Sequence, residues 1–130
     1  MSDIIAVDFD GTIVRHEYPE IGEDVPGAFE WMHLFTAQGA KLILWTMRSG
    51  RTLDAAVDHC SSRGITFWGV NANPEQHAWT QSPKVYAPVY IDDAAAGCPL
   101  IEVSSARPYV DWSRVGPMVM DRLGWSVLAS

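Results

Sequence analysis

Four short apolar runs, each stopped by polar residues and most of them separated by stretches of helical length, restrict what this chain can fold into. Ile4 to Phe9, "KLILWT" (41–46), "ITFWGV" (65–70) and "APVYIDD" (87–93) are rich in Ile, Leu, Val and aromatic residues, the pattern of strands buried on both faces. Between the first two runs, Asp24 reads as an N-cap and Pro26 as a first-turn residue. Ala28, Trp31, Met32 and Phe35 then recur at helical spacing, and Gly39 is a C-terminal stop. After the second run, "RSGRT" opens a helix with Leu53, Ala56, Val57 and Cys60 on one face, closed by Gly64. Strands alternating with helices predict βαβ units: a single α/β domain over 1–130, doubly wound and Rossmann-like, with a mainly parallel sheet. Right-handed crossovers put the C-terminal ends of these strands on one edge of the sheet, where such folds bind ligands.

The rest of the chain is less regular. Residues 13–24 form a polar loop or flap. "NANPEQHAWTQSPK" reads as a long loop with a helical turn after Pro74, and "LIEVSS" as a short edge strand. Val115, Met118, Val119 and Arg122 or Leu123 suggest a last helix whose first half Gly116-Pro117 interrupts. The net charge of -7 disfavours a broad nucleic-acid surface, and any phosphate site needs a bound cation or local positive groups. Cys60 and Cys98 make no CxxC pair and read as reduced thiols of a cytoplasmic protein. No apolar run approaches a membrane span, and the N-terminus lacks the features of a signal peptide.

The polar residues at the strand ends carry the chemistry. Asp8 and Asp10 close the first run, and Thr46 closes the second with Arg48 just after it. Asn71 and Asn73 follow the third, Asp92 and Asp93 close the fourth, and Lys84 precedes that fourth strand. Alternate strand residues share a face, so Asp8 and Asp10 would crowd like charges unless the chain bends, or a cation or shared proton relieves them. Carboxylates at adjacent strand ends make a hard-ligand site for Mg²⁺ that also accepts a phosphate oxygen. Thr46 and Lys84 would hold other phosphoryl oxygens. One carboxylate is then placed to act as a nucleophile on phosphorus, and a second to donate to the leaving group and activate water. Taken singly, Thr46 and Lys84 are ordinary residues, Arg48 divides between a phosphate contact and a surface ion pair, and Asp93 can cap the turn that follows. Arg15, His16 and Tyr18 read as solvated flap residues, and His33, His59 and His77 have no ligand spacing.

"DFDGT" after an apolar strand resembles motif I of the haloacid dehalogenase (HAD) superfamily, DxDx[TV]. "LILWT" resembles motif II, Lys84 matches the motif III lysine and "YIDD" matches motif IV, in the family's order over residues 4 to 93. The chain is most similar to small capless members. The resemblance implies a Mg²⁺-dependent phosphohydrolase in which Asp8 is nucleophile and metal ligand. Asp10 would be the general acid/base and give the metal its backbone carbonyl, Thr46 would bind phosphate, and Lys84 would orient the nucleophile. Asp92 would ligate the metal with Asp93 behind it. The intervals between motifs leave no room for a cap domain, so the site is expected to be open, covered by the 13–24 flap or by a neighbouring subunit of a homo-oligomer.

Substrate choice would then fall to the loops. Val70 to Pro83 carries Asn71, Asn73, Gln76, Trp79 and Gln81, a neutral hydrogen-bonding lining with one flat aromatic face, suited to small polar phosphomonoesters. Terminal phosphates of nucleic acids are the runner-up substrates. Two rival classes share the residue types: a receiver domain, whose acidic pair comes first rather than last in the chain, and a non-catalytic phosphate- or Mg²⁺-binding module on the same fold.

Overall fold

The computed structural model describes residues 3–125. Four strands, β1 (Ile4–Val7), β2 (Lys41–Leu44), β3 (Gly69–Val70) and β4 (Val89–Ile91), form one sheet in the order β3-β2-β1-β4. Every pairing in it is parallel, as the alternation of runs and helices requires. The chain builds outward from β1 through α1 (Ala28–Ala37) to β2 and through α2 (Gly50–Ser62) to β3, then crosses back to lay β4 on the other side of β1. The direction of winding therefore reverses between β1 and β4, which leaves a crevice beyond their C-terminal ends.

The two faces of the sheet are covered differently. Ile5, Val7, Leu42 and Leu44 pack with Ala28, Met32 and Phe35 of α1, with Ala56 and Cys60 of α2, and with Trp112, Val115 and Val119 of α3 (Trp112–Arg122). Ala6 and Ile43, on the opposite face, meet Val85 and Ala87 of the segment that enters β4, with Trp45 and Trp68 alongside. Helices wrap one face and an irregular strap wraps the other. Burial pushes the Cys60 thiol up to about 12, so it is an inert core thiol, and Cys98 is also a free thiol. Among the described residues no helix is long and apolar enough to cross a membrane.

Three local expectations are corrected. The third run is strand only at Gly69–Val70; Ile65 is buried under the helical layer, and the segment serves mainly as the return from α2. The N-cap of α1 is Gly27, at φ 84°, without a side-chain cap. Asp24 instead accepts from His59 Nε2 at 2.6 Å and from Arg63 Nε at 2.8 Å, tying the end of the flap to α2. Burial alone would raise the Asp24 carboxyl, but these bonds outweigh it and hold it below its ordinary value. The "LIEVSS" segment contributes β5 (Leu100–Ile101), which pairs antiparallel with β6 (Tyr109–Val110) in a separate two-stranded sheet.

Finally, Gly116-Pro117 does not interrupt α3, which runs through both residues. The missing Pro117 N–H costs one helical bond, but Trp112, Val115, Val119 and Met120 are all buried on the inner face. Gly116 has a packing role. A Cβ there would collide with the Trp31 indole of α1, so the absent side chain lets the two helices approach.

Candidate active site

The crevice beyond β1 and β4 is a cavity of about 510 Å³ lined by Asp8, Asp10, Thr46, Arg48, Asp92 and Asp93, with His16, Tyr18, Met47 and Arg107 at its sides. Strand pairing positions the acids. Asp8 follows β1 directly and its N–H donates to Ile91 O at 2.9 Å, which brings it beside Asp92 and Asp93 at the end of β4.

Asp8 and Asp10 do not crowd each other. The chain turns after Phe9, where the N–H groups of Thr12, Ile13 and Val14 all converge on Phe9 O. Asp10 is thereby sent to Arg48, whose Nε and Nη2 donate to its two oxygens, each at 2.8 Å. Like charge instead gathers on the other side, where one carboxylate oxygen each of Asp8, Asp92 and Asp93 lie within 4.8 Å of one another. Burial pushes the Asp8 carboxyl up to about 8; a hydrogen bond with Asp93 and the charges of Asp92 and Asp93 act in the same direction. Three close hard-oxygen donors suit a divalent cation such as Mg²⁺, whose charge would offset this crowding and favour the ionised Asp8. The Asp10 side chain stands outside this trio, and Asp92 and Asp93 enter it equally.

Two residues without an assigned role in the sequence support the trio. Thr12, wholly buried, donates from Oγ1 to Asp8 Oδ2 at 3.2 Å and accepts at the same oxygen from Asp93 N–H at 3.2 Å. Its carbonyl accepts from Trp112 Nε1 at 2.7 Å, which anchors this corner to α3. His16, read as a solvated flap residue, lies 2.8 Å from Asp93 Oδ2 through Nε2. The backbone passes beneath at Gly11, at φ 83°, where a Cβ would collide with both His16 and Asp93. The glycine of "DFDGT" is the legible sign of that close approach; the His16 contact, made across the fold, leaves no such sign.

Thr46 lies in the cavity wall as expected. Its N–H donates to Asn71 Oδ1 at 2.8 Å and its Oγ1 accepts from Arg48 N–H at 3.2 Å, which leaves the hydroxyl proton free to donate. Arg48 is neither a surface ion pair nor a phosphate donor. It is buried, and its remaining N–H groups go to Pro19 O, Glu20 O and Thr52 O. With Asp10 these contacts use all five donors of the guanidinium. The group is stacked between the rings of Phe9 and Tyr18, 5.0 and 5.1 Å from their centroids, so Arg48 fastens the flap over the site.

Lys84 and the third loop stand apart. Lys84 is exposed, its ammonium 5.8 Å from the Tyr90 ring centroid, and it does not line the cavity. Asn73 donates to Tyr86 O at 3.1 Å and accepts from Glu75 N–H at 3.0 Å. Gln76, also buried, clamps Lys84 O, Ser82 O and Tyr86 N–H. These amides hold the strap against the sheet, and Asn71 and Asn73 border a separate cavity of about 220 Å³. Trp79 is exposed and packs edge-on against Tyr86.

Fold and site together define a Rossmann-like α/β protein with a carboxylate trio at its topological switch point. The chain resembles a solved structure described as a conserved protein from Bacteroides thetaiotaomicron. The two share 39% sequence identity over 94% of this chain and 93% of that one, with a TM-score of 0.77. At that identity and coverage the chain belongs to the same family as that conserved protein. No protein-family model and no curated protein matches it.

Proposed function

We propose that the protein is a HAD-type phosphohydrolase that requires Mg²⁺ and cleaves small polar phosphomonoesters. The observation that carries this reading is the convergence of Asp8, Asp92 and Asp93 beside the Thr46 hydroxyl and the Asp10 carboxylate in one open cavity. Asp8, Asp92 and Asp93 would hold the metal, which when bound neutralises their charge and that of a phosphoryl group.

Asp8 attacks phosphorus, forming a carboxylate O–P bond as the ester O–P bond breaks, and an aspartyl-phosphate results. The step needs Asp10 as the carboxylic acid: the departing oxygen takes its proton, and the resulting carboxylate then accepts one from the water that hydrolyses the acyl phosphate and frees inorganic phosphate and Asp8. For that transfer one Asp10 oxygen must turn from Arg48 toward the ester oxygen. Thr12 keeps Asp8 aimed, and Thr46 donates to a non-bridging oxygen.

The cavity volume fits a small ester, and the charge of -7 disfavours a polynucleotide. A phosphate-release screen over sugar phosphates, nucleotides, phosphopeptides and end-phosphorylated oligonucleotides, with and without Mg²⁺, tests the reading. Absence of Mg²⁺-dependent release from every ester overturns the activity. A salt-sensitive preference for oligonucleotides overturns the substrate class.

A further inference from the structure

Four carboxylates face the cavity, so a phosphate dianion entering it needs cationic partners besides a metal. Among the described residues the basic side chains lining it are His16, Arg48 and Arg107. Arg48 has no N–H left to give, and His16 Nε2 is turned to Asp93. Lys84, the expected cation, lies outside the cavity. Arg107 is different: it is exposed, and among the described residues its guanidinium makes no ion pair with a carboxylate.

Its root is nevertheless fixed relative to the nucleophile. Arg107 precedes Pro108 and β6, and Val110 N–H in β6 donates to Gly11 O at 3.0 Å, next to Asp10. Arg107 also lines an adjoining cavity of about 470 Å³ between the flap and the β5–β6 loop, whose wall includes Arg15, Glu17, Glu20 and Glu23. Arg107 thus lines both cavities, where the carboxylate site meets the adjoining space.

Resting on the phosphohydrolase reading, we propose that Arg107 is the phosphate-gripping cation of this site, in the role that the family resemblance would give to Lys84. The planar guanidinium donates two N–H groups to non-bridging phosphoryl oxygens, a geometry that a lysine ammonium does not reproduce. The exposed, unpaired side chain can be replaced with little disturbance to the fold.

The test is calorimetric titration of inorganic phosphate into the Mg²⁺-loaded protein, alongside steady-state kinetics on the best ester, for wild type, Arg107→Gln, Arg107→Lys and Lys84→Gln. Arg107→Gln is expected to weaken phosphate binding about tenfold and raise KM by a similar factor, with Arg107→Lys recovering part of the loss. Lys84→Gln is expected to leave both close to wild type. Phosphate affinity and KM unchanged in Arg107→Gln, or lost in Lys84→Gln instead, overturn the assignment while leaving the phosphohydrolase reading standing. Arg107-dependent phosphate binding in a protein that turns over no ester supports the assignment and sinks the activity. A wild type that neither binds phosphate nor releases it from any ester sinks both.

Discussion

Arg48 and Asp10 meet as a two-pronged pair, Nε and Nη2 of one on both oxygens of the other at 2.8 Å, with the guanidinium buried between Phe9 and Tyr18. Removing one partner of a buried pair leaves the other charge unmatched. Arg48→Met should therefore destabilise the protein by about 3–5 kcal/mol, measured by urea unfolding. Because the same group holds Pro19 and Glu20, proteolysis should cut the flap of this variant before the core. A variant as stable as wild type, with an uncut flap, contradicts the fastening role.

The Asp8 carboxyl makes stability depend on pH in a defined direction. Its pKa is raised from 3.8 to about 8, so between those values the folded state binds more protons than the unfolded one. The metal-free protein should lose stability as pH climbs from about 4 to about 8. A cation on the trio favours the ionised form, so Mg²⁺ should raise the Tm most at the alkaline end. Thermal scans across that range, in chelator and in excess Mg²⁺, check both signs.

Asp8→Asn should separate stability from activity. The amide removes one charge from a crowded trio, so the metal-free protein should melt higher than wild type at pH 8. Turnover should fall by several orders of magnitude, because the nucleophile is gone. Wild-type phosphate release by this variant contradicts the aspartyl-phosphate route.

Gly116→Ala places a methyl group where the Trp31 indole packs. Overpacking of this kind costs about 1–3 kcal/mol, despite the higher helix propensity of alanine. Pairing it with Trp31→Leu should recover part of the loss in chemical denaturation. A stabilised single variant would contradict the packing role.

Gln76→Ala removes three hydrogen bonds that pin the strap. Leaving buried backbone groups unmatched should cost about 1–3 kcal/mol. Relative rates among phosphate esters should stay as in wild type. A changed preference would return substrate selection to this loop.

The sheet was legible because its strands are apolar on both faces, which left Ile4–Val7, Lys41–Leu44 and Val89–Ile91 with no other place in a packed domain. An apolar run does not separate strand from connector, and Ile65 to Trp68 is connector, of which only Ile65 is buried. Asp24 has the chemistry of a cap, but its partners His59 and Arg63 come from another helix, a contact no local pattern encodes. At the site, the order of acids and Thr46 was readable because strand ends fix where they sit. Lys84, Arg48, Asn71 and Asn73 were assigned by chain order or loop membership, and both leave side-chain direction open. Arg48 turned inward, Asn71 and Asn73 became supports, and Lys84 stayed outside.

The winding reversal between β1 and β4 predicts an order of assembly. The segments from β1 to β3 form neighbouring pairs along the chain, while β4 must close a long loop to reach the far side of β1. Asp92 and Asp93 travel with β4, so their repulsion with Asp8 arises only at that last docking and opposes it. A divalent ion held by the trio during refolding would remove the opposition at that moment, and would then speed the closing step as well as stabilise the finished protein.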